Sequence, residues 1–167
     1  MAKLDNQALI ERLRKQFGDD LLGGEEPFGL LTVETTKEHI IALLQFLKTD
    51  QELQFIYLTD ITAVHYPSQK RSIAVVYHVH SLIHNVRIRI KVFLDGVKPE
   101  VPSATILWNG ANWMERETYD FFGVIFTGHP DLRRILNVDE LEVFPMRKEY
   151  PLEDPNRVDK KDFFFGR

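Results

Sequence analysis

The chain has 167 residues, 44% of them hydrophobic, with 25 acidic and 21 basic side chains, a formal net charge of −4 and no cysteine. That length fits one domain able to bury roughly 70% of its unfolded surface, and the composition is that of a soluble globular protein. The charge gives no basis for nucleic-acid binding, and the missing thiols exclude a disulfide, a thiolate nucleophile and an all-cysteine iron–sulfur cluster within the chain.

In chain order, Asp5 to Phe17 is predicted as a short amphipathic helix. Ala8, Leu9, Leu13 and Phe17 recur at helical spacing, Glu11, Arg12, Arg14 and Lys15 take the wet side, and Gly18 stops it. The N-terminus lacks the apolar core of a signal peptide, and the longest apolar runs fall far short of the ~20 residues that cross a bilayer, so a cytosol-side location is expected. Leu21 to Phe28, with Gly23, Gly24 and Pro27, is predicted as a loop, and Gly29 to Thr35 as a strand. Thr35 and Glu38 have the spacing of a capping box opening a helix over Thr36 to Lys48. Three strands follow, Phe55 to His65, Arg71 to His80 and Val86 to Leu94, with connections short enough for an antiparallel meander. Pro99 and Pro102 bracket a loop before a brief helix over Ser103 to Trp108. A longer helix then runs from an Asn112 cap, with Glu115 as box partner, to Gly123 in a left-handed turn. Beyond Gly128 the close spacing of Pro130, Pro145, Pro151 and Pro155 leaves little room for regular structure.

The fold class expected is α+β: a two-layer sandwich of a mixed, mainly antiparallel sheet with helices on one face, plus an extended C-terminal tail. The division is a domain over residues 1–128 and a tail over 129–167 for partner docking. The tail is highly charged yet holds Phe144, Tyr150, Phe163, Phe164 and Phe165, a composition suited to ordering against a partner, with Arg147 beside them.

Several clusters invite chemical readings. His78 and His80 share one strand face and, with His84 or His65, could ligate a metal, but no set has a recognised metal-site spacing and a solvated or partner-covered face is favoured. Arg87, Arg89 and Lys91 line the side of their strand opposite the core, either simply exposed or docked on an acidic neighbour. Glu115, Glu117 and Asp120 could be an acid–base set, yet the nearby Arg116, Arg133 and Arg134 would keep them ionised. Structural or interfacial ion pairs are favoured, and Glu117 is predicted to pair with Arg133 or Arg134. His129, before a proline, is expected to cap a helix or to be a buried hydrogen-bonding ring.

The run Glu115-Arg116-Glu117, Asp120-Phe121-Phe122, then His129, Arg133, Ile135 and Leu136 at spacings of six, three and one residues resembles the signature of a respiratory complex I family, the C-type or thirty-kilodalton subunit of NADH:quinone oxidoreductase. Phe144 to Leu152 fits the same family. The resemblance implies a small mixed α/β domain with an extended tail, and a cofactor-free structural or assembly subunit. It would belong to the peripheral arm of a proton-translocating NADH:quinone oxidoreductase. Iron–sulfur clusters, flavin and quinone would belong to partner subunits, and this chain would hold no catalytic, cofactor or metal residue. The implied partners are the quinone-site D-type subunit and small iron–sulfur subunits. The implied location is peripheral, at the cytoplasmic face of the inner membrane or the equivalent organelle side, with membrane contact only through the assembly. The alternative is the equivalent subunit of a related membrane hydrogenase or of a ferredoxin- or F420-linked quinone oxidoreductase.

Overall fold

The computed structural model describes residues 4–150. Its strands are β1 (Leu21–Glu25), β2 (Leu31–Thr35), β3 (Tyr57–His65), β4 (Ile73–Ser81), β5 (Val86–Leu94), β6 (Glu100–Pro102) and β7 (Ile125–Thr127), and its helices are α1 (Asn6–Phe17), α2 (Ile40–Thr49) and α3 (Ala111–Phe122). The larger sheet has the order β1-β2-β5-β4-β3. β3, β4 and β5 form the expected antiparallel meander, and β2 joins β5 in parallel, with Val33 opposite Ile90. A parallel neighbour needs a crossover, and α2 lies in the connection that follows β2.

Alternation fixes which side is buried. Val33, Ile90, Tyr77 and Ile61 lie in register across four strands, with Ile88, Val92, Val75 and Val79 around them. Leu9 and Leu13 of α1, Ile40, Leu43, Leu44 and Leu47 of α2, and Ala111 and Phe122 of α3 join the same cluster, so the three helices cover one sheet face. The other face carries Glu34, Arg87, Arg89, Lys91 and His78. This is the α+β sandwich the sequence indicates.

Four local expectations are corrected. Leu21 to Glu25 is an edge strand, not a loop: Gly23 and Gly24 sit at positive φ in a bulge, and a side chain on Gly24 would collide with Ile10 of α1. Pro99 and Pro102 do not confine their segment to a loop, because β6 pairs in parallel with β7. The Thr35–Glu38 box does not form. The Thr35 hydroxyl donates to the Asp20 carbonyl instead, and α2 begins only at Ile40. Helix α3 starts after Gly110 without a side-chain cap, since Glu115 points into the core rather than back to Asn112.

Candidate functional site

The signature helix α3 has three rows of side chains, and each is used differently. The inner row, Ala111, Glu115, Thr118 and Phe122, is buried against the sheet. Thr118 donates to the carbonyls of Met114 and Ile61, tying the helix to β3. Glu115 is fully buried, and its two oxygens accept from the Ser103 hydroxyl at 2.7 Å and the Ala104 N–H at 2.6 Å. Burial pushes its carboxyl up to about 7, against the opposing pull of those two bonds. The Tyr77 hydroxyl, also fully buried, has no hydrogen-bond partner among the described residues.

The second row, Asn112, Arg116 and Asp120, repeats every four residues and grips the chain returning after β7. His129 Nδ1 accepts from the Asp131 N–H at 3.0 Å, which leaves the proton on Nε2, and Nε2 donates to the Asn112 carbonyl at 3.2 Å. Arg116 donates to the carbonyls of Arg133 and Arg134. Asp120, fully buried, accepts from the N–H groups of Ile135, Leu136 and Asn137, from Asn137 Nδ2, and from Arg134 Nη1 at 2.8 Å. Burial alone would raise its pKa, but the Asn137 and Leu136 N–H groups and the Arg134 guanidinium outweigh burial and hold the carboxyl well below its ordinary range. Arg134 also donates to the carbonyls of Leu141 and Val143.

Gly123 ends α3 in the left-handed conformation, φ 74°, as expected. It is needed twice over, because a Cβ there would lie 2.5 Å from the Phe144 ring. Arg134 and Arg147 place their guanidinium carbons 5.3 and 5.1 Å from the centre of that ring. Arg147 donates to the carbonyls of Phe122 and Gly96, and the Lys148 N–H donates to His65 Nδ1. Phe144 and Arg147, expected at a partner, make these contacts within the domain and stay partly exposed. Packing continues past residue 128, where the tail was expected to start, up to the exposed Tyr150. Phe163, Phe164 and Phe165 lie outside the described residues.

The third row is Trp113 and Glu117, both exposed. The expected pairing of Glu117 is overturned. Arg134 goes to Asp120 and Arg133 to Asp131 at 2.9 Å, and Glu117 makes no ion pair among the described residues. The returning strap follows the Asn112–Asp120 row, which lies about 60° around the helix from Glu117 at Asp120 and about 100° or more at Arg116 and Asn112. His129 is half-buried and hydrogen-bonded, whereas Ile135 and Leu136 contribute backbone, not side chains, to the Asp120 grip. Ser103, Asn112, Arg134 and Asn137 complete the site, and no motif in the sequence marks them as a set. The four-residue repeat of Asn112, Arg116 and Asp120 is the signal that groups the second row.

The four histidines do not converge. His78 Nε2 accepts from Arg89, His84 Nε2 is bonded to the Glu52 carbonyl, and His65 meets the strap. His80 Nε2 is buried without a partner, and no group of three potential metal ligands occurs among the described residues. Burial and the facing Arg89 lower the His78 pKa, as suits a neutral ring accepting from a guanidinium.

Solved structures share this α+β module. A chain in the structure of the membrane-bound sulfane sulfur reductase, an archaeal respiratory membrane complex, superposes with a TM-score of 0.72 at 22% identity, covering 87% of this chain and 85% of that one, a likeness of fold. The trypsin-resistant fragment of Nqo5 superposes with a TM-score of 0.64 at 30% identity, covering 74% of this chain and 98% of the fragment. The family model described as respiratory-chain NADH dehydrogenase, 30 Kd subunit, matches residues 33–156, and the chain belongs to that family. It is 46% identical to the C subunit of the NADH-quinone oxidoreductase of Roseiflexus sp. (strain RS-1), over 89% of this chain and 86% of the relative. It is 42% identical to the C subunit of the same oxidoreductase from Citrifermentans bemidjiense, over 92% and 94%.

Proposed function

We propose that this chain is a positioning and assembly subunit, without a redox centre of its own, in the peripheral arm of a proton-translocating NADH:quinone oxidoreductase. The observation that carries the reading is what the signature acids do. Glu115 and Asp120 are committed to backbone and side-chain bonds within the chain, so the motif builds a rigid surface and offers no free acid–base pair. The absence of cysteine in all 167 residues supports placing the iron–sulfur clusters elsewhere. A fixed distance between redox centres needs rigid subunits, and a domain whose helix clamps its own return segment supplies one.

The quinone-site D-type subunit and the small iron–sulfur subunits are the proposed neighbours, with residues from 151 onward, including Phe163 to Phe165, as the segment that engages the D-type subunit. The proposed location is the cytoplasmic face of the inner membrane or the equivalent organelle side. Among the described residues no helix is long and apolar enough to cross a membrane. The high identity to subunits named for NADH and quinone favours this reading over a hydrogenase or a ferredoxin- or F420-linked enzyme. Native purification through a tag on this chain tests it. NADH-binding flavin subunits should copurify, and a stable complex lacking them would overturn the choice of donor. A chain ending at Tyr150 should fold yet enter the complex poorly, and normal entry would remove the engaging role of the last residues.

A further inference from the structure

Two carboxyls of α3 are buried, and the fold serves them differently. Asp120 accepts five hydrogen bonds, one of them from the Arg134 guanidinium. Glu115 accepts two, and both donors come from one short segment, Ser103 and the single helical turn Ala104–Ile106 that follows it. An ionised carboxylate has about four acceptor sites, so the charged form of a fully buried Glu115 is poorly matched to its surroundings. The neutral form is well matched. Its proton can be donated to Ser103 Oγ, and the Ser103 proton can pass to Thr105 Oγ1, 2.7 Å away. Ser103 Oγ still accepts from the Thr105 N–H, and Glu115 still accepts from the Ala104 N–H. Among the described residues, the charged groups of the neighbouring elements are engaged elsewhere. Lys48 of α2 donates to the Leu107 carbonyl, Asp60 of β3 meets His78 on the far side of the sheet, and Glu100 of β6 pairs with Lys98. His129 is bonded to the Asn112 carbonyl, and Arg116 and Asp120 grip the strap. Tyr77 of β4 is the titratable group that feels Glu115. Burial and then the Glu115 charge hold its pKa well above the ordinary value, so it stays neutral.

We infer that Glu115 is a proton-controlled latch on residues 103–106: with its carboxyl neutral the segment is held closed on α3, and loss of the proton favours a local opening that brings water to the carboxylate. The segment is built to open locally. At its ends the Ser103 N–H donates to the Thr127 carbonyl and the Leu107 carbonyl accepts from Lys48, while Glu115 holds the middle. Ala104 is a small buried side chain and Ile106 is already exposed, so opening uncovers little apolar surface. The direction follows from linkage. Burial pushes the Glu115 carboxyl up to about 7 in the closed state, and water returns it to the ordinary 4.5 in the open one. The closed state thus holds the proton more tightly. Its advantage is complete below the ordinary value and is lost as pH rises through the closed-state value. Asp120, one turn further along the same helix, keeps its charge across that whole range and keeps the strap in place.

Residue-resolved amide exchange on the full chain tests the latch. After correction for the intrinsic pH dependence of exchange, protection of the Ala104 and Thr105 amides should fall roughly 10- to 100-fold from pH 5 to pH 8. Their exchange should not respond to low urea, as befits an opening that exposes little surface, whereas the amides of β4 and β5 should exchange faster in it. Glu115→Gln, whose amide can accept from Ala104 and donate to Ser103 at every pH, should make the protection of Ala104 and Thr105 flat across the range. Should that variant not fold, the isotope-labelled Glu115 carboxyl of the wild-type chain supplies the second measurement, and its titration midpoint should coincide with the pH at which the fall in protection levels off. Wild-type protection independent of pH, or exchange of Ala104 and Thr105 only through the urea-sensitive global route, would overturn the latch. So would a pH dependence that survives in Glu115→Gln, or a carboxyl that titrates near the ordinary 4.5.

Discussion

Removing the Asp120 carboxylate should release the strap and leave the sandwich folded but weakened. Asp120→Ala strips the acceptor from three consecutive backbone N–H groups and leaves the Arg134 guanidinium, whose side chain is only 9% exposed, without a counter-ion. Breaking a buried pair on one side costs about 3–5 kcal/mol, a fifth or more of the roughly 5–15 kcal/mol stability of an ordinary domain. Asp120→Asn keeps the shape and an acceptor oxygen but loses the charge, which lowers the expected cost to about 2 kcal/mol. Urea denaturation of the full chain gives both numbers, and hydrogen exchange gives the location: the amides of Ile135, Leu136 and Asn137 should lose protection, while those of β4 and β5 keep theirs up to the new global limit. In a double-mutant cycle with Arg134→Ala, the second substitution should cost less in the Asp120→Ala background, with a coupling of about 1–3 kcal/mol. The acid limb follows from the same site. With its pKa held below the ordinary value, Asp120 contributes stability that is complete above that value and is lost as pH falls towards the folded pKa. A cost below about 1 kcal/mol for Asp120→Ala, or unchanged protection of the three amides, would refute the clamp.

Glu115 has the opposite sign. Its folded carboxyl titrates at about 7 against an ordinary 4.5, so the fold holds the proton more tightly than the unfolded chain and loses stability as pH rises through that window. Glu115→Gln, whose amide can still accept from Ala104 and donate to Ser103, should raise stability at pH 8 by up to about 3 kcal/mol and change little at pH 4; a variant less stable than wild type at pH 8 would contradict the burial argument. Gly123→Ala should cost about 2–4 kcal/mol from the left-handed backbone and the collision with Phe144, and in a Phe144→Ala background only the backbone share of about 1 kcal/mol should remain in the same denaturation assay. Tyr77→Phe should be neutral or stabilising by about 1 kcal/mol, since it removes a buried hydroxyl without a partner; a loss of similar size would reveal a bonded water.

The helix-on-sheet architecture was legible because alternation in Val86 to Leu94 and the helical spacing of Leu9, Leu13, Leu43 and Leu47 are local signals of tertiary burial. The misread segments share a cause. Gly23, Gly24, Pro99 and Pro102 read as breakers, yet a bulged edge strand and a two-stranded parallel pair tolerate them, and both depend on partners distant in sequence. Thr35 and Asn112 matched capping patterns, but a capping residue chooses among acceptors and donors that only the fold brings near, as Asp20 and His129 show. At the site, sequence spacing groups the right charges and pairs the wrong two. Charge and spacing place Glu117 and Asp120 equally close to the arginines, and the path of the strap decides between them.

The parallel join between β2 and β5 sets an order of events during synthesis. β2 has only β1 and β5 as neighbours in its sheet, so the edge of β2 that β5 covers stays unpaired until Ile88 and Ile90 have left the ribosome. At ~5–20 residues per second that is a delay of roughly three to ten seconds. Throughout it β2 can pair with β1 and pack against α1 and α2 but presents one open strand edge, so this part of the nascent chain carries an unsatisfied row of backbone groups.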